Sequence, residues 1–326
     1  MKENQTTPPP SNPYRSRRAK LIYNPGAGTA KESPLNLQDV VQELQQWKLV
    51  PETYLIEPDG NLPEMVADAL ARGIRLFVVC GGDGTVSTVS HILAGTRATL
   101  GIIPLGTQNN TALSLGIPED IPAAVALLRT GKRIKVDMGV VTCAGNTTPF
   151  MEVCSVGLVS DLFPSADDIQ HGNLLRVGDF LATLAAAPPA EIHLNLDGKL
   201  DLNSTGYVVL ATNMPHIGLH YLVSSSAAYD DGLLDVLFFA ELSKLDLLGY
   251  VLQGVGEGMA DDPRVQHFRV RSLDIDTQPA MAVMVDGFAL GEGPVHIEVR
   301  KRSLGVMVAQ DHAGPPGQRK AAAADA

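Results

Sequence analysis

Residues 75–93 of the chain read RLFVVCGGDGTVSTVSHIL, and the five residues from Leu76 to Cys80 include none that is charged. A strand this short, with no polar alternation, offers no face to water. Both of its faces must be covered, which is the situation of a strand in a parallel sheet flanked by helices. The chain leaves the run through Gly81 and Gly82 and takes up helical spacing from Thr85. The same texture recurs through the first half. AKLIYNP, ETYLIE and TLGIIPLG read as strands, and residues 35–49, 62–71, 85–93 and 109–115 read as helices. Asp120, ahead of IPAAVALL, caps another. Strands alternating with helices predict an α/β domain built on a parallel sheet.

The texture changes near residues 135–139. KVDMGVVTC, FMEVCSVG, EIHLNLDG, GYVVLATN, LLDVLFFA, FRVRSLDI, AMAVMVDG and VHIEVR read as short strands split by turn residues. Residues 174–186 and 242–254 are the two helical stretches among them. This half is expected to form an antiparallel sandwich or barrel, and 326 residues suffice for two domains. Residues 1–18 and 310–326 are polar or low in complexity and are expected to be disordered tails. The basic RSRR at 15–18 reads as a solvated segment, with contact to lipid phosphates as the alternative.

Charge and hydropathy narrow the partners. A formal net charge of −11 argues against general attraction to nucleic acid. No apolar run reaches the roughly 18–20 residues of a spanning helix. Cys80, Cys143 and Cys154 lack metal-ligand spacing and read as reduced, buried thiols of a cytosolic protein.

Three strand ends carry glycines beside small hydroxyl or amide residues. NPGAGTA spans Asn24 to Ala30, GGDGT spans Gly81 to Thr85, and PLGTQNN spans Pro104 to Asn110. Ligands of open parallel sheets collect beyond the carboxyl ends of strands. Glycines there let backbone N–H groups approach a phosphate, and the following helix offers its positive end. In this frame Asp83 orients a hydroxyl or holds a metal ion, and Thr85 caps the helix or meets a phosphate oxygen. A tight structural turn is the alternative for any one loop, but three loops at one sheet edge favour a phosphate site. None of them meets G-x-x-x-x-G-K-[ST] or a full dinucleotide fingerprint.

NPGAG, GGDGT before a helix, and IIPLGTQNNTALSLGIP together resemble the diacylglycerol kinase catalytic family, soluble lipid kinases that include sphingosine and ceramide kinases. EVCSVGLVSDLF, YVVLATNMP, YDDGLLDVLFFA and VMVDG follow in the family's order, so the resemblance spans residues 19–309. It implies an NAD kinase/diacylglycerol kinase-like fold. An ATP-binding α/β domain would cover residues 19–137 plus a returning strand at about 302–309, and a β-rich lipid-substrate domain residues 138–301. ATP and Mg2+ would be the cofactors. The substrate would be a diacylglycerol-like or sphingoid hydroxyl, met at the inner membrane surface by a cytoplasmic, peripherally bound enzyme of phospholipid metabolism. A homodimer is compatible with the chain.

By the same resemblance, Asn24, Pro25, Gly26, Gly81, Gly82, Asp83, Gly84, Thr85, Thr107 and Asn109 would surround the nucleotide. Asp83 would sit beside the metal-nucleotide and the incoming hydroxyl. Asp231, with the carbonyls of Ala228 and Leu233, would match a supporting magnesium site. DDG at this point also reads as a plain hairpin turn.

The chain departs from the family's pattern in three places. The late D-G-E motif is here Asp286, Gly287 and Phe288, so the glutamate read as general base in many bacterial members is absent. Glu292, four residues on, and Asp83 are the substitute candidates. Thr88 stands where a glutamate is usual, and Asn110 where an aspartate is common. These losses support a second reading, a weakened or inactive member that binds nucleotide or lipid. A third reading is an NAD kinase-like enzyme. His216 and His220 read as loop histidines near the cleft rather than zinc ligands, Trp47 as core or rim, and FLATLAAAPP as a core helix or a lining of the lipid entrance.

Overall fold

The computed structural model describes residues 15–28, 37–158, 188–218, 220–240, 242–244, 246, 247, 260 and 262–315. The expected helix at 174–186 and the stretch FLATLAAAPP as far as residue 187 lie outside them, as does most of the expected helix at 242–254.

The first half is an α/β domain. Strands β1 (Arg17–Tyr23), β2 (Leu49–Leu55), β3 (Leu76–Gly81) and β4 (Thr99–Pro104) lie parallel in the order β2-β1-β3-β4. Helices α1 (Leu37–Gln46), α2 (Leu62–Ala71), α3 (Asp83–Leu93), α4 (Asn110–Ser114) and α5 (Ile121–Thr130) accompany them. All six residues of β3 are buried, and they alternate between two cores. Phe77 and Val79 face the core shared with α2 and α3, while Leu76, Val78 and Cys80 face the one shared with α1 and α5. Burial on both faces is the reason this strand tolerates no charge. Asn61 and Asp120 cap α2 and α5 by accepting from Glu64 N and Ala123 N, each followed by a proline in the first turn.

The second half is β-rich. Strands β5 (Lys132–Cys143), β6 (Asn146–Phe150), β7 (Val153–Gly157), β8 (Ala190–Leu196), β9 (Leu200–Thr212), β12 (Leu234–Ala240), β13 (Gln266–Val270), β14 (Ser272–Gln278), β15 (Ala282–Val285), β16 (Phe288–Glu292) and β17 (Val295–Val308) pair antiparallel around their own core. The short β10 (His216–Ile217) and β11 (Tyr221–Leu222) pair separately. FMEVCSVG and FRVRSLDI, each read as one strand in the sequence, divide into two. Residues 151–152 turn between β6 and β7, and Arg271 separates β13 from β14.

No linker joins the halves. β5 and β17 pair from Cys143↔Val295 to Lys132↔Val308, and β17 reaches β4 through Val306↔Leu100, so one sheet runs through both. The register breaks between Arg300 and Leu304, where Arg302 has a φ of 51°. Buried Asp137 of β5 holds this break. Its two oxygens accept from Arg302 N and Gly232 N, both at 2.6 Å. Each carboxylate oxygen thereby satisfies one donor that the irregular backbone leaves without a ladder partner.

Both expected tails contribute to this body. Arg17 and Arg18 belong to β1, with Arg18 paired to Glu52, so RSRR is not a free basic segment. His312 meets the Tyr229 hydroxyl through its ring and accepts from Lys132 Nζ through its carbonyl. Among the described residues no helix is long and apolar enough to cross a membrane.

Candidate active site

The ends of β1, β3 and β4 meet at one point. Asn24 N donates to Cys80 O and Leu105 N to Gly81 O, both at 3.0 Å, which draws the three turns together. A Cβ built on Gly82 would lie 2.9 Å from Gly106 Cα, one on Gly106 2.4 Å from Gly82 Cα, and one on Gly28 2.6 Å from Thr107 Oγ1. None of these glycines has a positive φ. They are required by close backbone approach rather than by turn conformation. The contact leaves a floor of peptide groups at the N-terminal end of α3.

The small side chains of the motif bind each other. Asn24 Oδ1 accepts from Gly26 N at 2.9 Å, and its Nδ2 donates to Thr85 Oγ1 at 2.8 Å. Asn109, at a φ of 53°, accepts from Gly106 N and donates to Gly106 O, both at 2.9 Å. Asparagine tolerates this left-handed position and locks the PLGT turn in both directions. Pro25, Gly26, Gly84 and Thr107 lie exposed around this floor.

Asp83 does not cap its own helix, whose N-cap is Gly82 without a side-chain bond. It crosses to α4 and accepts from Asn110 N at 3.1 Å and Thr111 N at 3.2 Å. These are the first two N–H groups of α4, so Asp83 caps the helix of the neighbouring turn and ties α3 to α4. Thr111, whose N–H it accepts, gives its hydroxyl to Glu152, which sets the two carboxyl groups on either side of one residue. Among the described residues no group of three His, Cys, Asp or Glu side chains is arranged to hold a metal ion by itself.

Asp286 is an anchor inside the protein. It and Gly287, with φ values of 46° and 85°, turn β15 into β16. The carboxylate is 2% exposed and accepts from Met151 N, Glu152 N and Val153 N at 2.8, 2.9 and 3.0 Å. Ser87 Oγ donates at 2.6 Å, and His91 Nε2 lies 3.1 Å away. Burial alone would raise the pKa of this acid. Bonds from His91, from the Met151 N–H and from Ser87 outweigh burial and hold it below the usual carboxylate range.

The segment gripped by Asp286 carries a residue the sequence reading passed over. Glu152 is 7% exposed, and Thr111 Oγ1 donates to its Oε1 at 2.5 Å. Burial first, then the charges of Asp83 and Asp286, push its pKa well above the ordinary glutamate value. One signal for it existed: Glu152 is the sole charged residue between Asp137 and Asp161. Ser87, His91 and Thr111 carried none.

Three sequence-level candidates lie elsewhere. Glu292 is exposed on β16 opposite Ala282, at the far end of the hairpin from the Asp286 turn, and does not reach the cleft. Phe288, at the turn, is 49% exposed. Asp231 does not fit the expected magnesium site. Its Oδ1 accepts from Leu233 N at 2.9 Å, and its Oδ2 is paired with the Arg269 guanidinium. A fixed cation occupies the carboxylate that, with the carbonyls of Ala228 and Leu233, was expected to bind the ion. Arg269 Nε also lies 3.7 Å from Asp235, and Lys301 packs over Gly232. Burial, ahead of these partners, still raises the pKa of Asp231.

The two loop histidines pack against the PLGTQNN helix. His216 meets Ser114 Oγ, and His220 the Gln108 carbonyl. Asn110 Nδ2 donates to Gly218 O at 2.6 Å. Trp47 is partly buried against the core of α1. The three cysteines are buried free thiols, with Cys80 pushed up to about 12 by burial.

Residues 18–141 match the model of the diacylglycerol kinase catalytic domain. Residues 166–308 match that of the YegS C-terminal NAD kinase beta sandwich-like domain. The diacylglycerol kinase of Bacillus subtilis (strain 168) is 26% identical over 277 residues, covering 83% of this chain and 89% of the relative. An uncharacterized protein of Synechocystis sp. is 26% identical over 311 residues, covering 90% and 70%. The crystal structure of a diacylglycerol kinase from Bacillus anthracis str. Sterne has a TM-score of 0.69 at 20% identity and covers 92% of this chain and 99% of its own, a likeness of fold.

Proposed function

From the chain's membership of the diacylglycerol kinase catalytic domain family, a family of kinases, we propose that it transfers the γ-phosphoryl group of ATP to a lipid hydroxyl, diacylglycerol-like or sphingoid, at a membrane surface. Phosphoryl transfer asks a protein for positioning, charge stabilisation and a place for one proton. In this reading the peptide groups where Gly82 meets Gly106, the N-terminus of α3 and the hydroxyls of Thr85 and Thr107 receive the phosphates. Mg2+ carried in on the ATP phosphates would neutralise charge on the transferred group. The hydroxyl oxygen forms the new P–O bond as the bond to the β-phosphate oxygen breaks, ADP departs, and the proton passes to the Asp83 carboxylate. Asp83 suits this role because its place beside the floor is set by α4 backbone rather than by a flexible partner.

The single observation that carries the reading is the backbone contact of two strand-end turns directly beneath one carboxylate. It is tested by label transfer from γ-labelled ATP to a mixed lipid extract, with D83N run in parallel. Label in a lipid product that D83N lowers by about 100-fold or more supports it. Label in a water-soluble product supports an NAD kinase-like activity instead.

The exposed Phe288 favours a second reading, a binding protein with little turnover. ATP protection against melting with no label transfer would support it. F288E separates a crippled site from a rebuilt one, since a large gain in rate means the glutamate was missed and a loss means its place has been taken.

A further inference from the structure

We infer that Glu152 is the positioning partner of Asp83: it keeps a proton in the resting protein, hydrogen-bonds Asp83 with it, and supplies from the β6–β7 turn the carboxyl that Phe288 withholds from the β16 side. The inference deepens the kinase reading and rests on it only for the consequence to catalysis.

Thr111 joins the two acids, its N–H donating to Asp83 Oδ1 at 3.2 Å and its hydroxyl to Glu152 Oε1 at 2.5 Å, and neighbouring carboxyl groups that bond to each other need a proton between them. Asp83 is only partly buried and accepts from two backbone N–H groups. Glu152 is buried and receives one hydroxyl, from Thr111. The proton therefore resides on Glu152. The groups facing Glu152 agree. α3 presents Asp83, with His91 turned toward Asp286; the β15–β16 turn presents the Asp286 anion; α4 presents the neutral Thr111. Beside β9, Asn213 donates its N–H to the Glu152 carbonyl, and Cys154 one step along β7 is a thiol held neutral by burial. Among the described residues no lysine or arginine pairs with Glu152, so an ionised Glu152 would be a buried charge without a cation beside it.

The geometry explains why Asp286 survives when the residue two places on is Phe288. Asp286 binds three consecutive N–H groups around Glu152 and so fixes the backbone that aims this carboxyl. In this chain the carboxyl stands on the segment that the turn holds rather than on the residue that follows the turn.

E152Q and E152A test this. Glutamine donates to Asp83 and accepts from Thr111 without a titratable proton, whereas alanine does neither. The first readout is melting temperature from pH 5 to pH 9. Because the folded pKa of Glu152 is raised, its contribution is complete below the ordinary glutamate value and is lost as pH rises through the folded one. Wild type is expected to fall relative to E152Q by about 2 °C or more at the alkaline end. A difference that stays flat with pH overturns the inference. The second readout is transfer rate. E152Q is expected to keep about a third or more of kcat with its alkaline decline moved upward, and E152A to lose about 100-fold in kcat with KM for ATP within about threefold. E152Q falling as far as E152A overturns the positioning role. Should E152A fail to fold, the E152Q comparison still decides. A wild type with the melting signature but no label transfer overturns the kinase reading and upholds the proton on Glu152.

Discussion

Two groups of acids, each with a buried member, lie in this chain and are neutralised by opposite means. In the cleft, Asp83, Glu152 and Asp286 rely on backbone N–H groups, hydroxyls and one histidine. At the junction of the halves, Asp137, Asp230, Asp231 and Asp235 stand among Arg269, Arg302, Lys301 and His267. A guanidinium seated on Asp231 balances its charge without a proton to move. Peptide dipoles and a movable proton balance it conditionally, so the local charge can change when a substrate arrives. The junction is built to stay as it is, whereas the cleft can respond.

D286A should give the largest effect. It strands three buried N–H groups and the His91 ring, and a loss of about 3–5 kcal/mol in denaturant unfolding is expected. The sign with pH is opposite to that of Glu152. The depressed pKa of Asp286 makes its contribution complete above the ordinary aspartate value and lost as pH falls through the folded one. The gap between wild type and D286A should therefore narrow in acid. A gap independent of pH would break the claim that this acid is held as an anion.

G106A asks whether the cleft needs its turns as much as its acids. The added methyl meets Gly82 Cα at 2.4 Å, so a cost of about 1–3 kcal/mol is expected, with loss of ATP-dependent stabilisation in a thermal melt. Retained ATP protection would move the nucleotide away from this edge.

R269A sharpens the contrast from the other side. Removing a partly exposed guanidinium from Asp231 and Asp235 is expected to cost about 1–2 kcal/mol. Wild-type melting should be insensitive to EDTA or added Mg2+ without nucleotide, while R269A should gain stability on adding Mg2+. Metal-dependent melting in wild type that D231N abolishes would restore the magnesium site. E292A should give the smallest effect, within about 0.5 kcal/mol and twofold in rate, since Glu292 is exposed at the far end of its hairpin. A large loss would return the missing base to that loop.

The α/β half was legible because its signals are local. An apolar run from Leu76 to Cys80, Asp120 ahead of a helix, and glycines at strand ends each act over a few residues. The antiparallel half was legible as strands, but its breaks at residues 151–152 and Arg271 were not. Turn and strand residues mix there, and pairing decides where a strand stops. The expected tails misled for a similar reason. RSRR has a disordered composition, yet Arg17 and Arg18 sit in β1 beside β2, and the nearby Glu52 gives Arg18 an ion-pair partner.

What the sequence by itself determined is the order of the elements and the meeting of three glycine turns at one edge, because periodicity and backbone freedom are properties of neighbouring residues. What only the tertiary structure decided is the state of each charge. Asp83, Asp231 and Glu152 are equally plain carboxylic acids in the chain. The first caps a foreign helix, the second is matched to an arginine, and the third is buried against other acids. An ionisable group takes its character from what surrounds it in space, and those partners come from strands and helices distant in sequence.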